Sequence, residues 1–307
     1  NTTTAPIGWV QLGGDFTGDN TNNYFGEGMD LSSDGTTLTI SATCEGKYAP
    51  TVYAYVRVYK IDASNTTTAP IGWVQIGNDL QSPNPKDWFG WDLRLSSDGE
   101  TLAICSRNDV YSTPQYKMLP VQVYTYIDNS WNQLGDNVST GVDEEQGNSI
   151  ALNSDGTILA ITYVNLDKVR VFTYINGIWT QLGADISGDK SDNISLSSDG
   201  TILAVGAPWY DTITDTDIGR LQVYKYTNSS WTQVGAHIIG EAVGDNSGIA
   251  CSLSSDGSIV AIGAYGNDEN SSNSGHVRVY EISKIQTPVK KSLLALGDDA
   301  TNKLELT

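Results

Sequence analysis

A short turn sequence recurs five times along the chain and limits the possible folds more than any other feature. Each copy reads Leu, Ser or Asn, Ser, Asp, Gly, with the Asp–Gly pairs at 34–35, 98–99, 155–156, 199–200 and 256–257. An Asp–Gly pair favours a tight β-hairpin, because glycine tolerates positive φ and the aspartate carboxylate accepts hydrogen bonds within its own turn. Alternating apolar residues follow every copy, and alternation with period two is typical of strands. These patterns indicate a chain of repeated β units.

Two further segments complete each repeat. One resembles Val-x-Val-Tyr and begins at residues 56, 121, 169, 221 and 277; the other reads Trp-x-Gln-x-Gly and begins at residues 9, 73, 131, 179 and 231. Together with the strands on both sides of the turn, they give four short strands per repeat, which is typical of a propeller blade. We predict an all-β protein: a five-bladed β-propeller of four-stranded antiparallel blades over residues 1–282, followed by a C-terminal arm over residues 283–307.

The chain starts with a fourth-strand segment, Trp9–Gly13, whereas its fifth repeat ends without one. An unpaired blade edge would leave backbone groups without hydrogen-bond partners. We therefore expect Trp9–Gly13 to complete blade five and to close the ring.

The C-terminal arm contains a second segment that could fill the same place. Residues 293–297 read Leu-Leu-Ala-Leu-Gly, in a lysine-containing tail on a chain with 17 basic and 36 acidic residues and a net charge of −19. This contrast predicts a strand donated to the next copy of the chain, which would propagate head-to-tail as a filament. The alternatives are an arm packed on its own propeller or a connection to a further domain. The residues predicted to mediate self-association are Lys290, Lys291, Leu293, Leu294, Leu296, Leu304 and Leu306.

The acidic charge argues against a nucleic-acid partner, which would be repelled, and no apolar run is long enough to span a membrane. Six Asn-x-Ser/Thr sequons predict a secreted, extracellular glycoprotein. The predicted N-glycosylation sites are Asn1, Asn65, Asn137, Asn193, Asn228 and Asn270. Threonine clusters beside proline predict O-glycosylation at Thr2, Thr3, Thr4, Thr66, Thr67 and Thr68, with a plain polar connector as the alternative.

Three cysteines are too few for a disulfide-based scaffold. Cys44 and Cys105 fall near the ends of equivalent strands in neighbouring repeats. A disulfide between them is one interpretation, and buried thiols are the other.

Several sequence elements resemble the FG-GAP repeat of integrin-α-type propellers: the Phe-Gly pairs at 25–26 and 89–90, the Gly-Ala-Pro sequence at 206–208 and the Val-x-Val-Tyr strands. The Ser-Ser-Asp-Gly turn is similar to the Ser-Pro-Asp-Gly turn of WD40-like propellers. The resemblance implies an extracellular propeller used for adhesion or protein association. FG-GAP propellers usually carry an Asp-rich calcium loop between the first two strands of a blade, but that connection is too short here. No motif supports calcium, and we predict no cofactor.

Few residues suggest catalysis. The two histidines, His237 and His276, lie outside any metal-ligand spacing, and we predict that the chain is not an enzyme. Some five-bladed propellers are glycosidases, which need two converging carboxylates. The inner-strand candidates are Glu27, Asp30, Asp92 and Glu145, for which structural or solvated roles are the better interpretation.

The densest aromatic cluster comprises Trp88, Phe89 and Trp91. Aromatic faces bind sugar rings, so these residues are candidates for a lectin-like site; packing between blades is the alternative. The leading hypothesis is a structural or adhesive propeller that self-associates. A carbohydrate-binding propeller and a glycoside hydrolase are the alternatives.

Overall fold

The computed structural model describes residues 8–21, 23–43, 53–82, 87–108, 117–138, 147–163, 166–188, 191, 193–211 and 216–282. Over these residues the chain forms 22 β-strands in five antiparallel sheets and no α-helix. No helix within this part of the chain is long and apolar enough to cross a membrane. The predicted all-β class and the repeated antiparallel sheets are confirmed.

The sheets are numbered in chain order, and each contains one sequence repeat. Sheet one consists of β1 (Phe25–Leu31), β2 (Thr37–Ala42), β3 (Tyr55–Ile61), β4 (Trp73–Gln75) and β5 (Leu80–Gln81). Sheet two consists of β6 (Asp87–Leu95), β7 (Thr101–Asn108), β8 (Lys117–Ile127) and β9 (Ser130–Gln133). Sheet three consists of β10 (Gly147–Leu152), β11 (Ile158–Tyr163), β12 (Lys168–Ile175), β13 (Ile178–Gln181) and β14 (Ile186–Ser187).

Sheet four consists of β15 (Asn193–Leu196), β16 (Ile202–Ala207), β17 (Arg220–Thr227), β18 (Ser230–Gln233) and β19 (Ile238–Ile239). Sheet five consists of β20 (Ala250–Leu253), β21 (Ile259–Ala264) and β22 (His276–Glu281). The two-residue strands β5, β14 and β19 pair with the start of the third strand of their sheets, beyond the predicted four.

The Asp–Gly hairpins lie together at one end of the sheets, which we call the turn end. In sheet four, the Asp199 carboxylate accepts hydrogen bonds from Ser197 Oγ at 2.6 Å and from the Thr201 N–H at 2.9 Å, while Gly200 has φ of 71°. Equivalent bonds occur in the other sheets. These aspartates have the turn-forming role that the sequence predicts.

A ladder of backbone hydrogen bonds joins the sheets at the turn end. In the first four sheets, the serine directly before the turn aspartate donates its N–H to the carbonyl of the equivalent residue in the next sheet, at 2.8–3.0 Å. The ladder runs through Ser33, Ser97, Ser154, Ser198 and Ser255. The innermost strands of successive sheets also pack on one another, in the order β1, β6, β10, β15 and β20. The result is a propeller-like stack of sheets.

The core lies between the sheets. Val56 and Val58 of β3, for example, pack with Phe89, Leu93 and Leu102 of sheet two. Near the outer edge, a tryptophan indole N–H donates to a backbone carbonyl associated with the preceding sheet. The pairs are Trp73 to Leu12, Trp131 to Ile76, Trp179 to Leu134 and Trp231 to Leu182.

The predicted closure of the ring by Trp9–Gly13 is wrong for this structure. The segment forms no strand and lies beside sheet one, where the Leu12 carbonyl accepts the Trp73 indole N–H. Among the described residues, sheet five has three strands, and β20 does not pack on β1 as the other inner strands pack on one another. Met29 on β1 is 61% exposed, and Val277 on β22 is 71% exposed. The two end sheets therefore each present an uncovered apolar face.

Candidate functional site

The ends of the sheets opposite the turn end, where the inner strands begin, form the loop end. In sheets one and two, the first half of the inner strand contains a Phe-Gly pair at a register shift, which is a β-bulge. Gly26 and Gly90 have φ of 98° and 84°, values that favour glycine. A bulge changes the direction of the side chains that follow it. Glu27 and Trp91 directly follow the two bulge glycines, so they occupy equivalent positions, with a carboxylate in one sheet and an indole in the other.

Glycines allow the two bulges to approach closely. A Cβ atom on Gly28 would lie 2.7 Å from the Gly90 carbonyl, and one on Gly90 would lie 2.5 Å from Ser41 Cβ. The Gly28 N–H also donates to Ser41 Oγ at 2.9 Å. Sheets one and two therefore approach closely here, with a cleft above the contact at the loop end.

The cleft is a cavity of about 180 Å³, and the described residues that line it are Tyr24, Glu27, Thr43 and Trp88. Tyr24 adopts φ of 45°, an unusual value for a bulky residue, and its side chain is 45% exposed. Such backbone strain is often found at functional sites. The lining thus combines two aromatic rings, one carboxylate and two hydroxyl groups, those of Tyr24 and Thr43.

The Trp88 and Trp91 rings are 5.5 Å apart with an interplanar angle of 35°. The Arg107 guanidinium lies 3.5 Å from the centre of the Trp91 ring, a cation–π contact that orients the ring. The indole Nε1–H of Trp88 is buried and has no hydrogen-bond partner among the described residues. A buried donor without a hydrogen-bond partner is energetically costly.

Two of the three aromatic residues predicted from the sequence fit a ligand site. Trp88 lines the cavity, and Trp91 stacks beside it. Phe89 is 1% exposed and belongs to the core between sheets one and two. Alternation along β6 explains the difference, because neighbouring side chains point to opposite faces of a strand. Tyr24 and Thr43 were not predicted, since neither belongs to a recognisable motif.

The inner-strand carboxylates have different roles. Asp30 accepts the Leu95 N–H at 2.6 Å, and Asp92 accepts the Ile150 N–H at 2.8 Å, so both link neighbouring sheets. Burial raises the pKa of Asp30 above its usual range, although hydrogen bonds from backbone N–H groups oppose the shift. Glu27 is exposed at the cavity. The described lining thus provides one carboxylate, whereas glycoside hydrolysis needs two that converge on the substrate; Glu145 lies outside the described residues.

The predicted glycosylation sites differ in exposure. Asn137, Asn228 and Asn270 are exposed, as are the threonines at 66–68. The Asn65 side-chain amide donates to the carbonyls of Thr68 and Trp73, and Asn193 Oδ1 accepts the Cys251 N–H, so both side chains already have structural partners. Asn1, the threonines at 2–4 and the arm residues predicted to self-associate lie outside the described residues. Glycosylation and secretion stay predictions.

The cysteine interpretations also stay open. Cys105 is buried on β7, where desolvation raises the pKa of its thiol to about 12. Cys44 lies outside the described residues, so the predicted bridge between the two remains untested.

The fold and the cleft define this chain as a propeller-like all-β protein with a candidate pocket between its first two sheets. It is similar to the solved structure of a periplasmic gluconolactonase from Pseudomonas aeruginosa, with 17% identity, a TM-score of 0.52, and coverage of 76% of this chain and 64% of that chain. A functionally unknown protein from Desulfotomaculum acetoxidans matches with 13% identity, a TM-score of 0.50, and coverage of 86% of this chain and 72% of that chain. Neither a protein-family model nor a curated protein sequence matches the chain.

At these identities the likeness shows the fold alone. The chain spans 64% of the length of the gluconolactonase. A propeller-like fold is thereby supported, while the more specific resemblance to FG-GAP or WD40 repeats stays a prediction.

The comparison contradicts the functional prediction. A propeller-like protein of named activity that this chain resembles is an enzyme, a gluconolactonase. The predictions of a non-enzymatic chain and of a structural, adhesive, filament-forming role are therefore wrong. The repeat pattern specifies an architecture that both enzymes and adhesion proteins use, so function could not be inferred from it.

Proposed function

We propose that this protein is a hydrolase for the cyclic ester of a polyhydroxylated acid, a sugar lactone, and that the cavity between sheets one and two is its active site. The observation that carries the proposal is the exposed Glu27 carboxylate in an aromatic pocket beside the unpartnered indole N–H of Trp88. The gluconolactonase that shares the fold supports the reaction class.

The pocket chemistry fits a sugar-derived ring. The faces of Trp88 and Tyr24 can pack on the C–H groups of such a ring, and Thr43 can exchange hydrogen bonds with its hydroxyl groups. A neutral lactone carries no charge that the acidic protein would repel. These features favour a polar, ring-shaped substrate.

In the proposed reaction, the Glu27 carboxylate takes a proton from a water molecule whose oxygen attacks the lactone carbonyl. A turn of the Trp88 ring towards the cavity would allow its N–H to donate a hydrogen bond to the carbonyl oxygen as negative charge develops on it. The C–O bond of the ring then breaks, and the alkoxide leaving group takes the proton from Glu27. One water is consumed, the ring opens to a hydroxy acid, and the carboxylate is regenerated.

We also infer that the five sheets are blades arranged around one axis, so that the pocket lies at the loop end of a propeller. Sheet-to-sheet packing along the inner strands and the serine ladder support this arrangement. Ligand sites in β architectures are commonly found at such loop-lined openings.

The test is hydrolysis of D-glucono-1,5-lactone, which is measured as the release of acid at constant pH and corrected for spontaneous ring opening. We expect the protein to accelerate the reaction and Glu27→Gln to lower the enzymatic rate at least about 100-fold. Glu100→Gln, which alters an exposed carboxylate at the turn end, is the matched control and should retain the rate. No acceleration by the wild-type chain, or full activity of Glu27→Gln, would overturn the proposal.

Sugar binding without hydrolysis is the second candidate, favoured by the Trp88–Trp91 pair. It predicts that sugars quench tryptophan fluorescence without any catalysed ring opening. Trp88→Phe should weaken binding, whereas Trp209→Phe, which alters an exposed tryptophan in the turn after β16, should not. Sugar binding that is unchanged in Trp88→Phe would show that the binding site lies elsewhere.

A further inference from the structure

A second group of polar side chains lies at the loop end of sheets four and five. Glu241 follows β19, Glu269 lies in the loop between β21 and β22, and His276 is the first residue of β22. One potential ligand atom from each residue lies within 4.8 Å of the other two. Three separate segments of the chain therefore converge on a point distinct from the Glu27 pocket.

A buried polar pair holds the two glutamate-bearing segments together. The Asp245 carboxylate, which is almost fully buried, accepts the N–H groups of Glu241 and Ala242 at 2.8 and 3.0 Å. Asn267 donates its side-chain amide to the same carboxylate at 3.3 Å, and its Oδ1 accepts the Glu269 N–H at 3.1 Å. The backbone positions of both glutamates are thus fixed by groups outside the cluster, as expected for a preorganised site.

The His276 imidazole lacks a conventional hydrogen bond within the described residues. Its Nδ1 lies 3.7 Å from Glu241 Oε2, which is too long for a hydrogen bond. Its Nε2 is fully buried and has no partner, although the side chain as a whole is 15% exposed. Leaving Nε2 buried without a partner is unfavourable, whereas Nδ1, which faces the Glu241 carboxylate, is the ring atom positioned for a ligand.

Arg278 offsets part of the negative charge of the cluster without occupying the space between its three potential ligand atoms. Its guanidinium donates to Glu241 Oε1 at 3.1 Å and to the Ile239 carbonyl at 3.2 Å. The other oxygen of that carboxylate, Oε2, is the one nearer His276. The arginine therefore holds Glu241 in place and leaves one of its oxygens directed towards the imidazole.

We propose that Glu241, Glu269 and His276 bind a divalent transition-metal ion, with Zn²⁺ as the best fit. One imidazole and two carboxylates are a ligand set that Zn²⁺ accepts, whereas Ca²⁺ and Mg²⁺ prefer oxygen ligands throughout. Three protein ligands leave at least one coordination position for water. The proposal is independent of the activity proposed for the Glu27 pocket.

The test uses the untagged full chain, stripped with a chelator, dialysed and titrated with ZnCl₂ by calorimetry. We expect one Zn²⁺ per chain, bound at least about 100-fold more weakly by His276→Ala and by Glu269→Gln, because loss of an outer-shell contact alone costs 10–100-fold. His237→Ala and Glu281→Gln remove an imidazole and a carboxylate elsewhere and should keep the wild-type affinity. Circular dichroism of each variant checks folding.

A second readout is Co²⁺, whose visible absorption reports its ligands. Wild-type protein should give a d–d spectrum that is shifted in His276→Gln, a variant that retains a polar side chain of similar size. The proposal is overturned by the absence of stoichiometric Zn²⁺ binding, or by variants of His276 that bind both metals as the wild-type protein does.

Discussion

The turn end and the loop end are built from the same repeats, yet they differ in how far the sheets resemble one another. At the turn end, every sheet has the same Ser-Asp-Gly hairpin and contributes its serine to the same backbone ladder. At the loop end, equivalent positions carry different residues: Glu27 and Trp91 follow equivalent bulges, and Tyr24 corresponds to Trp88. Repetition supports the architecture at one end, and divergence creates candidate sites at the other.

This contrast predicts that equivalent substitutions at the loop end have unequal effects, and the largest difference is expected at the bulge glycines. Gly90→Ala should lower the free energy of unfolding by about 3 kcal/mol, because its Cβ would collide with Ser41 and Val56 at positive φ. Gly26→Ala should cost about 1 kcal/mol, since no atom lies within 4 Å of its added Cβ. Urea denaturation measures both, and equal losses would contradict the comparison.

A smaller difference should separate the two kinds of loop-end carboxylate. Asp92→Ala leaves the buried Ile150 N–H without its acceptor and should cost about 2 kcal/mol. Glu27→Gln should change stability by less than about 0.5 kcal/mol, because its side chain is exposed. Thermal and urea unfolding of the two variants provide the measurement. A large loss for Glu27→Gln would indicate a structural role and weaken the case for a site.

The turn end should make the free energy of unfolding depend on pH in the acid range. Hydrogen bonds from the Ser254 hydroxyl, and then from Ser258, lower the pKa of Asp256 to about 2, below the value of about 3.9 for an unfolded chain. This carboxylate therefore stabilises the fold above pH 4, and its contribution is lost as the pH falls through 2. Ser254→Ala should shift that loss to higher pH, as measured by urea midpoints between pH 5 and 2. An unchanged pH profile would argue against a stabilising role for the turn carboxylate.

The smallest effect concerns reactivity rather than stability. Burial raises the pKa of the Cys251 thiol to about 12, and its Sγ lies 3.3 Å from Asn193 Oδ1 of the preceding sheet. Cys251 should therefore react with iodoacetamide at pH 8 far more slowly in the native protein than in urea. Peptide mapping of the labelled cysteine gives the answer. Native labelling at the unfolded rate would mean that the inner strand of sheet five does not pack as described.

The sequence predicted the repeated parts of the fold well, because each rests on local chemistry. The Asp–Gly hairpins, the third strands and the outer tryptophan strands of sheets one to four lie where their patterns place them. The pairing of Trp9–Gly13 was predicted wrongly, since a strand pattern gives no information about which edge it will occupy. The added strands β5, β14 and β19 were missed because two residues are too few for a periodic signal.

The candidate sites could be predicted only in part. Trp88 and Glu27 were recognised as chemically capable, but their proximity depends on two bulges and on the close approach of Gly28 to Gly90. Phe89 was grouped with its neighbours because it is adjacent in sequence, although it points to the opposite face. The convergence of Glu241 and His276 spans a complete hairpin and most of an inter-sheet connection. No spacing rule connects such residues.

The serine ladder has a consequence for how proteins of this kind can evolve. The turn serine of each sheet has an N–H on one side and a carbonyl on the other. Adjacent sheets are therefore joined by the same backbone hydrogen bond. A tandem duplication of one repeat would find matching neighbours on both flanks without any compensating substitution. The number of repeats can thus change between relatives independently of the residues at the loop end, where the candidate sites lie.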